Sequence, residues 1–208
     1  GETACVSING ANRLGSNSLT ELLVFGRRAA LSAMAHLQSN PTPSSDAALA
    51  AKAKESQNRI QALFDKSDGT ETIAGLRQEM MDTMEANVGI YRTGEGLAAA
   101  CEKIAELRRR YTNIALTDKS HVYNTDLMQA LELGSMLDCA EAVTVGARDR
   151  KESRGAHQRL DFTARDDENL LKHSLAHYHP TEPPRIEYLD VVITKSQPGV
   201  RDYSGAKK

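Results

Sequence analysis

The sequence predicts a mainly α protein, a helical bundle followed by a small β-containing tail. Aromatic residues make up only 4% of the chain and tryptophan is absent, while Ala, Leu and Met are plentiful. That balance favours helices over a β-sandwich, which needs aromatic and β-branched strand residues. Apolar residues recur at three- and four-residue steps as far as Arg150, the period of amphipathic helices. Beyond Arg150 charge becomes dense, prolines appear at 180, 183 and 184, and the run Ile186 to Thr194 is rich in strand formers.

The first helical pattern starts at Ser16, with Leu19, Leu22, Leu23, Gly26, Ala30, Ala33 and Leu37 on one face. Ser16 and Asn17 offer cap chemistry at its start, and the small Gly26, Ala30 and Ala33 let the helix lie close against another backbone. Pro41 and Pro43 mark a linker from Ser39 to Ser45. Four further patterns cover about Asp46 to Phe64, Thr70 to Val88, Thr93 to Tyr111 and Thr125 to Arg148. In the third of these, Leu97, Ala100, Cys101, Ile104, Leu107 and Tyr111 share a stripe that excludes Glu102, Lys103, Glu106 and Arg109. The last carries so wide a stripe, from Leu127 to Val145, that it is expected to sit centrally in an antiparallel bundle. In the tail, Leu170 to Tyr178 and Arg185 to Thr194 are expected to pair as a hairpin, and Ser204 to Lys208 to fray.

At 208 residues and 40% hydrophobic content the chain can bury a core and form one or two domains. Its 26 Lys and Arg against 28 Asp and Glu leave no basic footprint of the kind that nucleic-acid binding requires. No apolar run approaches the ~20 residues of a membrane span, and no signal-peptide pattern opens the chain. The chain is therefore expected to be soluble. Cys5, Cys101 and Cys139 are scattered and form no CxxC, which fits a reducing compartment and cannot supply the roughly four thiolates of an iron–sulfur cluster. His173, His177 and His179 have metal-like spacing, but no carboxylate or thiol completes a set, so no metal ligand is assigned. His121 reads as a loop residue. Arg108 to Arg110 read as a solvated helix end that complements the dipole.

The opening is the most informative stretch. Gly1 to Leu19 is a Gly-rich polar loop, ending in ANRLGSNSL, that runs straight into a helix N-terminus. A helix start offers unpaired N–H groups and about half a positive charge, enough to hold a phosphate, a carboxylate or a flavin ring that becomes anionic on reduction. An ordinary capped helix start accounts for the same pattern. Arg13 adds a guanidinium fork suited to a bidentate grip on a carboxylate, although taken alone it reads more readily as a surface ion pair.

This opening resembles the motif of the succinate dehydrogenase and fumarate reductase flavoprotein subunits: a GE pair, small residues, GANRLGSNSL, then a helix like ELLVFGRRA. The similarity continues in family order through Ile90 to Glu95, Tyr123 to Leu127, Leu131 to Leu133, Arg150 to His157 (RKESRGAH), Arg165 to Asn169 (RDDEN) and Leu171 to His173. The resemblance implies that Glu2 lies at the ribityl or ribose region of FAD, that the backbone at Ser18 and Leu19 faces the pyrimidine edge of the flavin, and that Arg13 binds a substrate carboxylate. It also implies an iron–sulfur partner subunit, membrane-anchor subunits, a dicarboxylate substrate (succinate or fumarate), and a peripheral place on the cytoplasmic side of the inner (cell) membrane, or the matrix side if mitochondrial. Many members have His where Asn9 stands. Asparagine cannot titrate near neutral pH, so Asn9 receives no catalytic role. Arg154 and His157 in the RKESRGAH block are expected to be structural.

The chain begins at Gly1-Glu2 without an initiator methionine, and it contains no GxGxxG. The resemblance places the dinucleotide-binding motif, the flavin-carrying histidine and the proton-shuttle arginine upstream of Gly1. The expectation is a C-terminal fragment: residues 1–40 as the last strand-loop-helix piece of an FAD-binding α/β domain, 41–150 as the helical bundle domain and 151–208 as the tail. Such a fragment is expected to be inactive with succinate, FAD and a dye acceptor, and its first helix to expose an apolar face able to drive self-association. An L-aspartate oxidase-related flavoprotein shares the GE to NSL region, but RDDEN and LKH favour the succinate dehydrogenase and fumarate reductase group. A non-catalytic helical interaction module is the alternative from a different class.

Overall fold

A computed structural model describes residues 4–13, 15–40, 45–195 and 197–199. Glu2, the bulk of the Pro41 to Ser45 linker and the Ser204 to Lys208 terminus lie outside these residues. The elements run α1 (Asn17–Ser39), α2 (Asp46–Asp65), α3 (Ile73–Val88), β1 (Tyr91–Arg92), α4 (Gly94–Tyr111), α5 (Thr125–Asp149), β2 (Gln158–Arg159), β3 (Lys172–His177) and β4 (Arg185–Asp190). Four of the helices start where a short polar side chain accepts an otherwise unsatisfied backbone N–H. Ser45 takes that of Ala48, Thr72 that of Gly75, Thr93 that of Gly96 and Asn124 that of Leu127. The fifth, α1, differs: Ser16 has a left-handed φ of 68° and makes no side-chain cap bond, contrary to the capping role read from the sequence.

The core lies between α3, α4 and α5. Leu76, Ile104, Leu107 and Leu133 are fully buried there, joined by Ile73, Met80, Ile114 and Leu137. Each such side chain contributes about 1.5–3 kcal/mol by leaving water. A smaller cluster of Val88, Leu97, Ala100 and Ala147 closes one end. As its pattern predicts, α5 is central, packing on α3 and α4 and touching both strands of the hairpin, although Met128 and Val143 remain exposed.

The expected four-helix bundle is narrower than the sequence implied. No residue of α2 is buried, and only its C-terminal end is docked, where Leu63 and Phe64 reach the core. There Lys119 Nζ donates to the carbonyls of Phe64 and Lys66 at 2.7 and 2.8 Å, a favourable cation at a helix C-terminus, and Phe64 stacks on His121 with ring centroids 4.6 Å apart. Periodicity identifies a helix but does not say that its stripe finds a partner within the same chain.

Arg108 and Arg110, expected to form a solvated helix end, are instead partly buried and paired with acids. Arg110 forms bidentate bonds to Glu71 and Glu79 at 2.7 to 2.9 Å and a third contact to Glu106, tying α4 to α3 and to the segment before it. The Arg110 and Lys103 donors hold the Glu79 carboxyl down at about 2. Arg108 pairs with Asp138 at 3.0 Å and with Glu141 on α5. Burial raises the pKa of Glu141 against the pull of Arg108.

Beyond α5 the chain folds back over the end of the bundle. β1 and β2 pair in parallel, Tyr91 opposite Gln158 and Arg92 opposite Arg159. β3 and β4 form the expected antiparallel hairpin, with His173 opposite Leu189 and His177 opposite Arg185. The Arg150 to His157 block organises this junction. Glu152 is fully buried and accepts from Arg150 Nη1 at 2.6 Å, from both Arg154 nitrogens at 2.8 and 2.9 Å, and from the Asp166 N–H at 2.9 Å. Burial pushes its pKa up, but the Arg154, Asp166 and Arg150 donors outweigh burial and leave it lowered. Arg159 donates to the carbonyls of Ala147, Arg148 and Arg150, the free C-terminal end of α5, and grips Asp161 with two bonds of 2.8 Å. Asp161 in turn accepts the Gly94 N–H at the start of α4. Arg92 satisfies the Val88 and Gly89 carbonyls at the end of α3 and donates to His157 Nδ1 at 2.8 Å. His157 Nε2 therefore carries the proton and donates to the Arg150 carbonyl at 3.0 Å.

Two outcomes follow from this packing. Tyr111 Oη donates to the Ala130 carbonyl, and its ring lies so close to α5 that a Cβ on Gly134 would stand 2.8 Å from the hydroxyl. Gly134→Ala should therefore destabilise by about 1–3 kcal/mol, whereas Gly146→Ala, with open space at its Cβ, should stabilise by about 0.5–1 kcal/mol; urea unfolding of the two variants checks the opposite signs. The His157 imidazole is held below its ordinary value of 6.5, chiefly by burial. Because the unfolded chain binds that proton more readily, stability is full above pH 6.5 and falls as pH drops from there toward the lowered folded value. Urea midpoints compared at pH 7.5 and 5.5 should fall more for the wild type than for His157→Gln.

Candidate functional site

The loop ahead of α1 bends by repeated use of the left-handed backbone region. Cys5, Ser7 and Ser16 have φ of 48°, 63° and 68°, and Gly10 has φ of 58°. Glycine enters that region freely, whereas the non-glycine residues are strained there. Such strain is retained where surrounding structure enforces it, often at binding sites. The bends form a shallow concavity of about 460 Å³ lined by residues between Cys5 and Arg13.

Arg13 is exposed on the rim of this concavity, shortly before the uncapped start of α1. Ser18 is half-buried in the first turn, and Leu19 beside it is 70% exposed. Three of the four residues singled out by sequence are thus gathered at one place, the junction of loop and helix. Glu2 lies outside the described residues. The chemistry available at the junction is the guanidinium of Arg13 and a helix start with partial positive charge and no side-chain cap. These donors suit a carboxylate or an electron-rich ring edge.

One residue of this site escaped the sequence reading. Glu21, one turn into α1, is 2% exposed and is the one buried residue of that helix. Its Oε2 accepts from Asn9 Nδ2 at 2.8 Å, while Asn9 Oδ1 is buried without a hydrogen-bond partner among the described residues. Periodicity places Glu21 off the apolar stripe and so marks it as exposed. The available signal was its place in the first turns of a helix, where a carboxylate is favoured, opposite a polar loop.

The other candidates have local roles. His177 pairs with Glu187 at 3.0 Å, and His179 Nδ1 accepts the Glu182 N–H. Among the described residues no group of three His, Cys, Asp or Glu is arranged to hold a metal ion. Arg154 and His157 belong to the junction beyond α5, as their structural assignment anticipated. Burial raises the pKa of the half-buried Cys101 thiol. No described helix is long and apolar enough to cross a membrane.

Comparison with known proteins gives these residues a context. The fumarate reductase flavoprotein subunit of Serratia sp. is 50% identical over 208 residues, covering 99% of this chain and 34% of that protein. The succinate dehydrogenase flavoprotein subunit of Rickettsia bellii is 40% identical over 211 residues, covering 100% of this chain and 34% of that protein. A structure of E. coli quinol fumarate reductase superposes with a TM-score of 0.85 at 46% identity, over 92% of this chain and 33% of the other. The chain thus spans about a third of the length of the curated relatives it matches. The family described as fumarate reductase flavoprotein C-term matches residues 77–203, well over half of the sequence, and the chain belongs to that family.

Proposed function

We propose that this chain forms part of the flavoprotein subunit of a succinate:quinone or quinol:fumarate oxidoreductase, with residues 1–40 completing an FAD-binding domain. The observation that carries the reading is the placement of Arg13, exposed beside a strained loop that leads into the uncapped start of α1. Arg13 binds one carboxylate of succinate or fumarate through two parallel N–H donors, a geometry that lysine cannot reproduce. Its role is to orient the substrate. The first turn of α1, at Ser18 and Leu19, meets the pyrimidine edge of the flavin, where the helix start favours negative charge. Glu2 holds the ribityl or ribose part. Bound FAD supplies the two-electron chemistry at the C2–C3 unit of the dicarboxylate.

The electron partner in this reading is a separate iron–sulfur subunit. Membrane-anchor subunits then hold the assembly at the cytoplasmic face of the inner membrane, or the matrix face in a mitochondrion. The helical region and tail carry no substrate contact in this scheme; they stabilise the subunit and present its outer surface.

The test is Arg13→Lys in the holoenzyme. Loss of a charge-assisted bidentate pair should raise KM for succinate and fumarate about 10- to 100-fold, with flavin content and melting temperature retained. An unchanged KM would overturn the assignment of Arg13.

A further inference from the structure

We propose that Glu21 is a positioning residue for the dicarboxylate loop: its buried carboxylate, bonded to Asn9, fixes where Arg13 stands. The inference rests on the assignment of Arg13 made above.

The polarity of α1 is inverted. Leu19, Leu23 and Leu37 are each at least 68% exposed, yet Glu21 is buried to 2%. Packing of an apolar face cannot account for this, because Glu21 is the one buried residue of the helix. Burying a carboxylate is costly unless it is hydrogen-bonded, and hydrophobic residues at the same place would stabilise more readily. A carboxylate buried against its own loop and hydrogen-bonded to it therefore points to a positional role.

Its partner gives that role a direction. Asn9 Nδ2 donates to Glu21 at 2.8 Å, and a charged acceptor makes such a bond short and strong. Reversing the amide would turn Oδ1 toward the carboxylate, which is repulsive, so Glu21 also sets the amide orientation. Asn9 Oδ1 is left buried and without a partner among the described residues, a cost tolerated because the other end of the amide is held. Asn9 is followed at once by Gly10 in the left-handed region, and Arg13 stands four residues from Asn9. The chain from Asn9 to the start of α1 is thus tied at both ends to the same helix, at its first residue and one turn further on. Arg13 lies between the two, so losing the Asn9–Glu21 bond lets the backbone that carries Arg13 shift relative to the helix start.

The experiment uses the holoenzyme and reads binding as well as turnover. Malonate, a dicarboxylate that cannot react, is titrated against the oxidised enzyme and followed through the flavin absorbance change, alongside KM and kcat. Glu21→Ala and Asn9→Ala should each weaken malonate binding and raise KM about tenfold, with kcat within about twofold. The double variant should be no worse than either single one, because the two side chains act as a unit. Glu21→Gln, which can still accept from Asn9, should retain most of the affinity. If Glu21→Ala fails to fold, Asn9→Ala and Glu21→Gln decide the matter. Full malonate affinity in Asn9→Ala, or effects of the two substitutions that multiply, would overturn the proposal. A fall in flavin content and melting temperature with no change in KM would do the same, since it would show a merely structural acid. If Arg13→Lys weakens malonate binding but Asn9→Ala and Glu21→Ala do not, this inference alone fails. If Arg13→Lys also leaves affinity unchanged, the assignment of Arg13 fails and takes this inference with it.

Discussion

The arrangement of this chain depends on how helix ends that meet at one end of a bundle satisfy their backbone groups. A helix leaves its last carbonyls and first N–H groups without internal partners, and here the ends of α3 and α5 and the start of α4 converge. Arg92 answers the carbonyls of α3, Arg159 those of α5, and Asp161, gripped by Arg159, answers the N–H of Gly94. Guanidinium groups suit the task because one planar fork can donate several bonds while staying charged when desolvated. Glu152 balances the positive charge from within, with Arg150 and Arg154 on either side. Arg150 also donates to the carbonyls of Leu170 and Lys172, which carries the same network into the hairpin.

The consequence is a division of labour between apolar and polar interactions. Leucine and isoleucine packing among α3, α4 and α5 supplies the driving force, whereas the junction beyond α5 supplies the geometry. Salt-bridged groups desolvated to this degree are weak evidence for net stability, since the cost of removing charge from water offsets much of the attraction. They are better evidence for uniqueness: removing any one partner strands the others, so alternative packings of the tail are disfavoured. The paired carboxylates around Arg110 act more gently, at a partly exposed surface where screening limits their worth.

Much of this was legible in sequence, for definite reasons. Helix spans came out within a few residues because apolar positions at three- and four-residue steps coincide with Ser, Thr or Asn caps at Ser45, Thr72, Thr93 and Asn124. The hairpin was legible because Pro183 and Pro184 break the chain just before a strand-forming run. What failed were statements about partners. The stripe of α2 finds no cover beyond its last turn, and Arg108 and Arg110 face acids on α3, on α5 and in the segment before α3, pairings 31 to 39 residues apart in sequence. Ser16 looks like a cap yet adopts a left-handed φ that aims it elsewhere. At the candidate site, Arg13, Ser18 and Leu19 were singled out through family motifs. Glu21 was not, because a charged residue off the apolar stripe reads as exposed unless the loop that covers it is known.

The same contrast between helices bears on function. In α3, α4 and α5 burial largely follows hydrophobicity, because these helices pack on one another. In α1 burial runs against it: leucines stand open to solvent while a glutamate is enclosed by a loop whose backbone repeatedly enters the left-handed region. Two demands are therefore visible on one helix. Its apolar stripe calls for a surface that these residues do not provide, and its N-terminal turns are committed to holding a strained loop in a fixed place. A loop held in that way can present a cation such as Arg13 without reorganisation when a ligand arrives, which is where preorganisation contributes most to binding and catalysis.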